Sequence, residues 1–159
     1  MRPLPPLDGP VVVAYDGSPA SEIALIEAAA LLAPRRAVVV TVWKEDIGLR
    51  AVDRPEHLPP AKLDVRLAGE FEEVLAERAR RLAEHGAALA AEAGLEAEGL
   101  AVAEGVDVPV SEAVVGVAER HGAATIAVGT HGHGGAIGNI SREVIRHARC
   151  PVLVRGPAR

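Results

Sequence analysis

Apolar residues follow two alternating patterns along this chain: short unbroken runs, and longer stretches with helical spacing. Unbroken runs are typical of strands buried on both faces, and the spaced stretches are typical of amphipathic helices. Five strands are predicted, at 11–15, 37–43, 96–103, 125–128 and 152–155. Four helices are predicted between them, at 20–32, 71–93, 110–121 and 140–148. This alternation predicts an α/β fold, in which a parallel sheet is covered by helices on both faces.

The chain length and the positions of proline predict one domain, from residue 11 to residue 155. A chain of 159 residues is long enough for one hydrophobic core and too short for two domains of ordinary size. Residues 1–10 contain four prolines and are predicted to be a flexible lead-in, and residues 156–159 a short tail. Residues 44–68 have no clear period and are predicted to be a long loop that could fold over a ligand.

The composition narrows the class of protein. A hydrophobic content of 49% with 25% charged residues is that of a globular protein, and no apolar run approaches the length of a membrane span. A net charge of −5 and an aromatic content of 2% do not favour nucleic-acid binding. The protein is predicted to remain in the cytoplasm, and neither nucleic acid nor a membrane is an expected partner. Cys150 is the single cysteine and is interpreted as a small core residue.

A glycine-dense segment follows the fourth predicted strand and leads into the last helix. Five glycines occur between Gly129 and Gly138. Glycines allow an anion to approach the free N–H groups at a helix start, so a phosphate group is the ligand expected there. Glycines after a strand are also ordinary turn residues, and both interpretations stay open. The segment fits neither the P-loop pattern nor the dinucleotide pattern GxGxxG.

Asp16 is the second candidate for binding chemistry, because it ends the first predicted strand. Its carboxylate has two possible roles, an Asx turn that starts the next helix, or a hydrogen-bond acceptor for a ligand. Ser18 and Pro19 suit the N-cap and the first position of that helix. Ligands of parallel α/β sheets bind beyond the carboxyl ends of the strands. Asp16, Val42 and Gly129 all lie at such ends.

The sequence contains no recognisable catalytic motif of a hydrolase or a redox enzyme. His131 and His133 are two residues apart in the glycine segment. Two histidines at this spacing, without thiolate or carboxylate partners, are a weak metal signal, so no metal site is predicted.

The two ends of the chain resemble the universal stress protein family. The resemblance is carried by VVVAYDGSPASEIALIEAAALLA near the start and by AVGTHGHGGAIGNISREVIRHARCPVLVR near the end. It covers the chain from Val11 to Arg155. It implies a five-stranded parallel sheet in the order 3-2-1-4-5, a Rossmann-like three-layer sandwich. It also implies a homodimer, commonly paired through the last strand, and for some members the binding of ATP.

The resemblance also implies the site residues. ATP-binding members carry the motif G-x2-G-x9-G-[ST], to which this chain supplies Gly129, Gly132, Gly138 and Asn139. Five residues separate Gly132 from Gly138 where the motif has nine, which shortens the loop by up to roughly 13 Å. Asn139 replaces the serine or threonine and can still donate to a phosphate oxygen. Asp16 matches the aspartate that meets the nucleoside, and Val42 matches the position that contacts adenine.

Three functions are therefore considered. The first is a stress-response or regulatory protein that binds ATP or another adenine nucleotide without being an enzyme. The second is a homodimeric interaction module of the same fold that binds no nucleotide. The third is a slow ATPase, for which His131 or His133 would have to act near the γ-phosphate.

Overall fold

The computed structural model describes residues 7–45, 65–130 and 138–156, with the backbone alone for residues 65–68. Five strands and four helices alternate in this part of the chain. The strands are β1 (Val11–Ala14), β2 (Arg36–Lys44), β3 (Glu96–Glu104), β4 (Thr125–Gly129) and β5 (Val152–Arg155). The helices are α1 (Pro19–Leu32), α2 (Val65–Glu92), α3 (Val110–Arg120) and α4 (Asn139–His147).

The strands form one parallel sheet in the order β3-β2-β1-β4-β5. This confirms the predicted fold class and strand order. β1 is central, and its three valines are completely buried. The charged strand β3 lies at one edge, as its alternating sequence predicted.

Side chains alternate between the two faces of the sheet, and each face carries its own core. Val11 and Val13 pack with Leu25 and Ala90 against α1 and α2. Val12 packs on the other face, with residues of α3 and α4 such as Val117 and Val144. A strand with both faces covered must be apolar at every position, which explains the unbroken runs in the sequence.

Most predicted element ends differ from the structure by one residue, and the start of α2 and the N-terminal lead-in differ more. α2 begins at Val65 instead of Phe71, so the last residues of the predicted 44–68 loop belong to this helix. Residues 46–64 of that loop lie outside the described residues. The predicted lead-in is held in place at its end, because Arg35 donates hydrogen bonds to the carbonyl oxygens of Leu7 and Gly9, at 2.6 and 2.9 Å. The first six residues lie outside the described part of the chain.

Helix ends follow the predicted signals. Ser18 is the N-cap of α1 and accepts a hydrogen bond from the N–H of Ser21, and Pro19 is the first helical residue. Gly94 and Gly122, which follow α2 and α3, have positive φ angles of 101° and 57°. This backbone conformation strongly favours glycine, which explains why both helices stop there. In the part of the chain described, no helix is long and apolar enough to span a membrane.

Candidate functional site

A cavity opens at the carboxyl edge of the sheet, between the ends of β1, β2 and β4. Its volume is about 150 Å³. This is less than the roughly 300–1,000 Å³ of a typical small-molecule site, so it can hold one part of a ligand while the rest lies at its rim. The described residues that line it are Ala14, Tyr15, Asp16, Ser21, Val40, Val42, Val110, Val114, Val128, Gly129 and Ile140.

The turn from β1 to α1 positions Asp16 at the rim of this cavity. The Oδ1 atom of Asp16 accepts a hydrogen bond of 2.9 Å from the N–H of Ser18. The predicted Asx turn is therefore present. The Asp16 side chain is exposed and also lines the cavity, so the turn holds a carboxylate at the place where a ligand would meet it.

The end of β2 supplies an apolar wall. Val42 is half-buried and faces the cavity. The neighbouring Thr41 is buried, and its hydroxyl donates a 2.9 Å hydrogen bond to the carbonyl oxygen of Tyr15. This bond joins the ends of β1 and β2, so that the apolar wall and Asp16 are held side by side.

The first turn of α4 forms the opposite wall. Gly138 is the N-cap and its backbone is extended, while Asn139 is the first helical residue and is exposed. Ile140, not Asn139, lines the cavity. The Ser141 hydroxyl is buried and donates to the carbonyl oxygen of Gly138 at 3.2 Å, which fixes the start of the helix.

Besides the first turn of α1, which contributes Ser21, the N-termini of α3 and α4 meet at this cavity, because Val110 and Ile140 lie in their first turns. The N-caps of these helices, Pro109 and Gly138, make no side-chain capping hydrogen bond. Free N–H groups at a helix start carry partial positive charge and favour an anion. The rim therefore combines two weakly positive helix ends with one carboxylate, a suitable arrangement for a ligand that has both phosphate and hydroxyl groups.

Gly129 has a packing role that does not involve any ligand. A Cβ atom added at this position would lie 2.4 Å from the carbonyl oxygen of Ala20 in α1. The end of β4 therefore approaches the first turn of α1 so closely that no side chain fits between them. The sequence alone could not separate this packing role from phosphate binding.

The structure brings together only part of the predicted site. Asp16, Val42 and Gly129 line one cavity, and Gly138 and Asn139 lie beside it at the start of α4. Gly132, His131 and His133 lie outside the described residues. Within the described part, no group of three or more His, Cys, Asp or Glu side chains is arranged to hold a metal ion.

Several residues of the cavity wall were not predicted from the sequence, among them Tyr15, Val110, Val114 and Ile140. Val110 and Ile140 follow helix starts, and in a parallel α/β sheet helix starts lie at the carboxyl edge of the strands. Their position was the signal that could have identified them.

Tyr15 in the cavity wall should make the stability of the protein depend on pH in the alkaline range. Burial, together with the negative charges of Glu22 and Asp16, raises the pKa of its hydroxyl. Folding therefore favours the neutral phenol. The stability that this preference contributes is fully present below the ordinary tyrosine pKa of about 10, and it is lost as the pH rises through the raised pKa of the folded state. We expect Tyr15→Phe to reduce the alkaline loss of stability. Urea unfolding of both proteins between about pH 8 and pH 11 measures this; equal losses would contradict it.

A second cavity, of about 280 Å³, lies at the amino ends of β4 and β5 and is lined by residues that include Val115, Ile126 and Cys150. It adjoins the carboxyl ends of α3 and α4, where the helix dipole disfavours a phosphate. Burial raises the pKa of the Cys150 thiol, which favours the unreactive form and agrees with its interpretation as a core residue. The smaller cavity is the better candidate for an anionic ligand.

The family of the chain follows from a sequence comparison. The family model described as the universal stress protein family matches residues 9–155. The chain belongs to the universal stress protein family. A comparison with curated proteins finds no match.

Solved structures have the same universal stress protein fold. The hypothetical protein MJ0577 is 21% identical, with a TM-score of 0.71 over 97% of this chain and 99% of that one. A universal stress protein family member from Burkholderia pseudomallei is 26% identical, with a TM-score of 0.63 over 93% and 96%. The universal stress protein from Archaeoglobus fulgidus in complex with dAMP is 20% identical, with a TM-score of 0.60 over 94% and 98%.

Proposed function

We propose that this universal stress protein binds an adenine nucleotide at the carboxyl edge of its sheet and acts as a binding protein in a stress response. The base would lie against Val42 in the cavity, and a ribose hydroxyl would donate to Asp16. The phosphate would lie toward the start of α4, near Gly138 and Asn139, with Gly129 and Gly132 at the beginning of the glycine segment.

The observation that carries this proposal is the single cavity in which Asp16, an apolar wall and two helix N-termini come together. The dAMP complex of the Archaeoglobus fulgidus protein supports it, as do universal stress proteins solved with cAMP and, in Arabidopsis thaliana, with AMP. The shortened glycine segment leaves less chain around a triphosphate. For this reason we favour a monophosphate over ATP.

Calorimetric titration with adenosine, AMP, cyclic AMP and ATP tests the proposal, together with mass spectrometry of any nucleotide that co-purifies. We expect AMP to bind more tightly than adenosine, because a helix N-terminus favours an anion. Absence of heat with all four compounds, and of any bound nucleotide, would contradict the proposed function without affecting the fold.

We further propose that two copies pair through β5. This strand is the second edge of the sheet, and Val152 and Val154 are half-exposed on it. Pro151 and Arg155 accept hydrogen bonds from Ile126 and Thr130, beside β4. In a parallel ladder this places the backbone N–H groups of the alternate residues, Val152 and Val154, at the open edge, where they can pair with another strand.

A proline at this open edge should separate the copies. We expect Val154→Pro to abolish the dimer with little loss of stability, because its N–H faces away from β4. Leu153→Pro is the matched control and should unfold more easily, because Leu153 is in register with Ala127 and its N–H faces β4. Sedimentation and thermal unfolding measure the two effects. A Val154→Pro variant that remains a dimer would contradict pairing through β5.

A further inference from the structure

Lys44 joins the end of β2 to the turn that precedes α3. Its ammonium group donates hydrogen bonds to the carbonyl oxygen of Gly105, at 3.3 Å, and to that of Val108. The N–H of Val108 also donates to the carbonyl oxygen of Gly105, at 3.0 Å, which closes the turn. A lysine ammonium has three donors and no acceptor, so it suits a pair of carbonyl oxygens. One side chain from β2 therefore holds both ends of the turn between β3 and α3.

The start of α3 is not fixed by the side chain of its N-cap. This residue is Pro109, which makes no side-chain capping hydrogen bond and has no side-chain acceptor. The other two helix starts at the cavity are fixed locally. The Ser18 hydroxyl caps α1, and the Ser141 hydroxyl donates to the carbonyl oxygen of Gly138 in α4. The start of α3 is held from another element, by Lys44 at the end of β2.

The helix start that Lys44 holds is part of the cavity wall. Val110 is the first residue of α3 and lines the cavity together with Val114, one turn later. On β2, Val42 and Lys44 are two residues apart, so their side chains project from the same face of the strand. Val42 packs in the same cluster as Val114 and lines the same cavity. Lys44 therefore links the β2 part of the cavity wall to the α3 part.

We propose that Lys44 is a positioning residue of this cavity, whose ammonium group holds the first turn of α3 at the distance from β2 that an adenine base requires. This role rests on the nucleotide function proposed above, and it involves no contact between Lys44 and the ligand. The cavity is only about 150 Å³ in volume, so its walls must lie close to a bound base. Dispersion contacts weaken steeply with distance, and a gap of roughly 1 Å removes up to about half of the attraction. A loosened start of α3 would therefore bind the base less well.

Lys44→Met tests this role, because methionine keeps an unbranched apolar side chain and removes all three donors. We expect it to weaken the binding of AMP and of adenosine by a similar factor, about threefold to tenfold, because both compounds place the same base against the α3 wall. Lys44→Arg keeps a cation with several donors and should bind both compounds within about twofold of the unaltered protein. Calorimetric titration measures the affinities, and thermal unfolding shows that each variant is folded.

Arg36→Met is the matched control. Arg36 is the first residue of β2 and projects from the same face of the strand as Lys44, but it lies at the amino edge of the sheet, away from the cavity. The control removes the same charge and should bind AMP and adenosine as the unaltered protein does. If Lys44→Met weakens the binding of AMP and leaves that of adenosine unchanged, the lysine charge acts on the phosphate, and the positioning role is overturned.

Hydrogen exchange of the ligand-free proteins tests the hold on the turn without any nucleotide. The Val108 amide should exchange about tenfold faster in Lys44→Met, because its bond to Gly105 loses the support of the ammonium group. Arg36→Met should leave this rate unchanged.

The two measurements also separate this role from the function on which it rests. If the unaltered protein binds neither AMP nor adenosine, the proposed function fails and the positioning role fails with it. If the unaltered protein binds them and Lys44→Met binds them equally well, the nucleotide site stands and only the positioning role is overturned. An unchanged exchange rate of the Val108 amide in Lys44→Met would overturn it as well.

Discussion

Gly129→Ala is expected to lower the free energy of unfolding by about 2–3 kcal/mol, because its added Cβ atom overpacks the junction of β4 and α1. The carbonyl oxygen of Ala20 is 2.4 Å from the Cβ position, and the N atom of Ser21 is 3.1 Å away. Both are backbone atoms in the first turn of a helix, so they cannot rotate away as a flexible side chain can. Thermal or urea unfolding should show a fall in melting temperature of roughly 4–12 °C.

Gly69→Ala is the matched control for this prediction. An added Cβ at Gly69 meets no heavy atom within 4 Å, and the residue lies within α2. Alanine should therefore raise the free energy of unfolding by about 0.5–1 kcal/mol, through helix propensity. If Gly129→Ala lowers the free energy of unfolding and Gly69→Ala raises it, close packing is what distinguishes Gly129. A Gly129→Ala protein as stable as the unaltered one would contradict the close packing of β4 against α1 at this residue.

This result also bears on the nucleotide site. Moving the first turn of α1 would disturb Ser21, and with it the turn that holds Asp16. Loss of nucleotide binding in Gly129→Ala would therefore not identify Gly129 as a ligand contact. Substitutions of the cavity wall provide a cleaner test.

Val42→Trp is expected to weaken AMP binding at least about tenfold, a loss of about 1.4 kcal/mol. Its large ring would fill the cavity, which is only about 150 Å³ in volume. The matched control is Val102→Trp. Val102 is the register partner of Val42 on β3, is also half-buried and packs in the same cluster, but does not line the cavity.

Calorimetric titration of AMP into both variants measures the difference. Melting temperatures of the two proteins show whether the tryptophans perturb the fold equally. We expect Val102→Trp to bind AMP as the unaltered protein does. Equal affinities for the two variants would contradict an adenine site against Val42.

The fold could be predicted from the sequence because the buried strands are unbroken apolar runs rich in β-branched residues, and because several helices have a clear start or stop signal, such as Ser18 before α1 and Gly122 after α3. The start of α2 was predicted too late. Gly69 and Glu70, which directly precede the predicted start, are exposed and add no large apolar residue to the helical spacing. Regular spacing of apolar residues indicates a helix with one buried face, and it does not indicate a helical end that makes few packing contacts.

Residues of the candidate site could be predicted only where the residue type has few possible roles at its position in the sequence. An aspartate directly after a buried strand is conspicuous, and Asp16 does lie at the cavity rim. Val110 and Ile140 line the same cavity, yet valine and isoleucine at helix starts look like any other core residues. The role of Gly129 could not be decided from the sequence, because a close backbone approach and a phosphate contact demand the same residue.

The proposed adenine-nucleotide site is tested most directly by observing which side chains respond when AMP is added. Methyl resonances of Val42, Val110 and Ile140 should shift in a saturable manner, because these residues line the cavity at the carboxyl edge of the sheet. Val115 and Ile126 line the second cavity at the opposite edge and should not respond. Shifts confined to Val115 and Ile126, or no saturable shift at all, would contradict an adenine-nucleotide site between β1, β2 and β4.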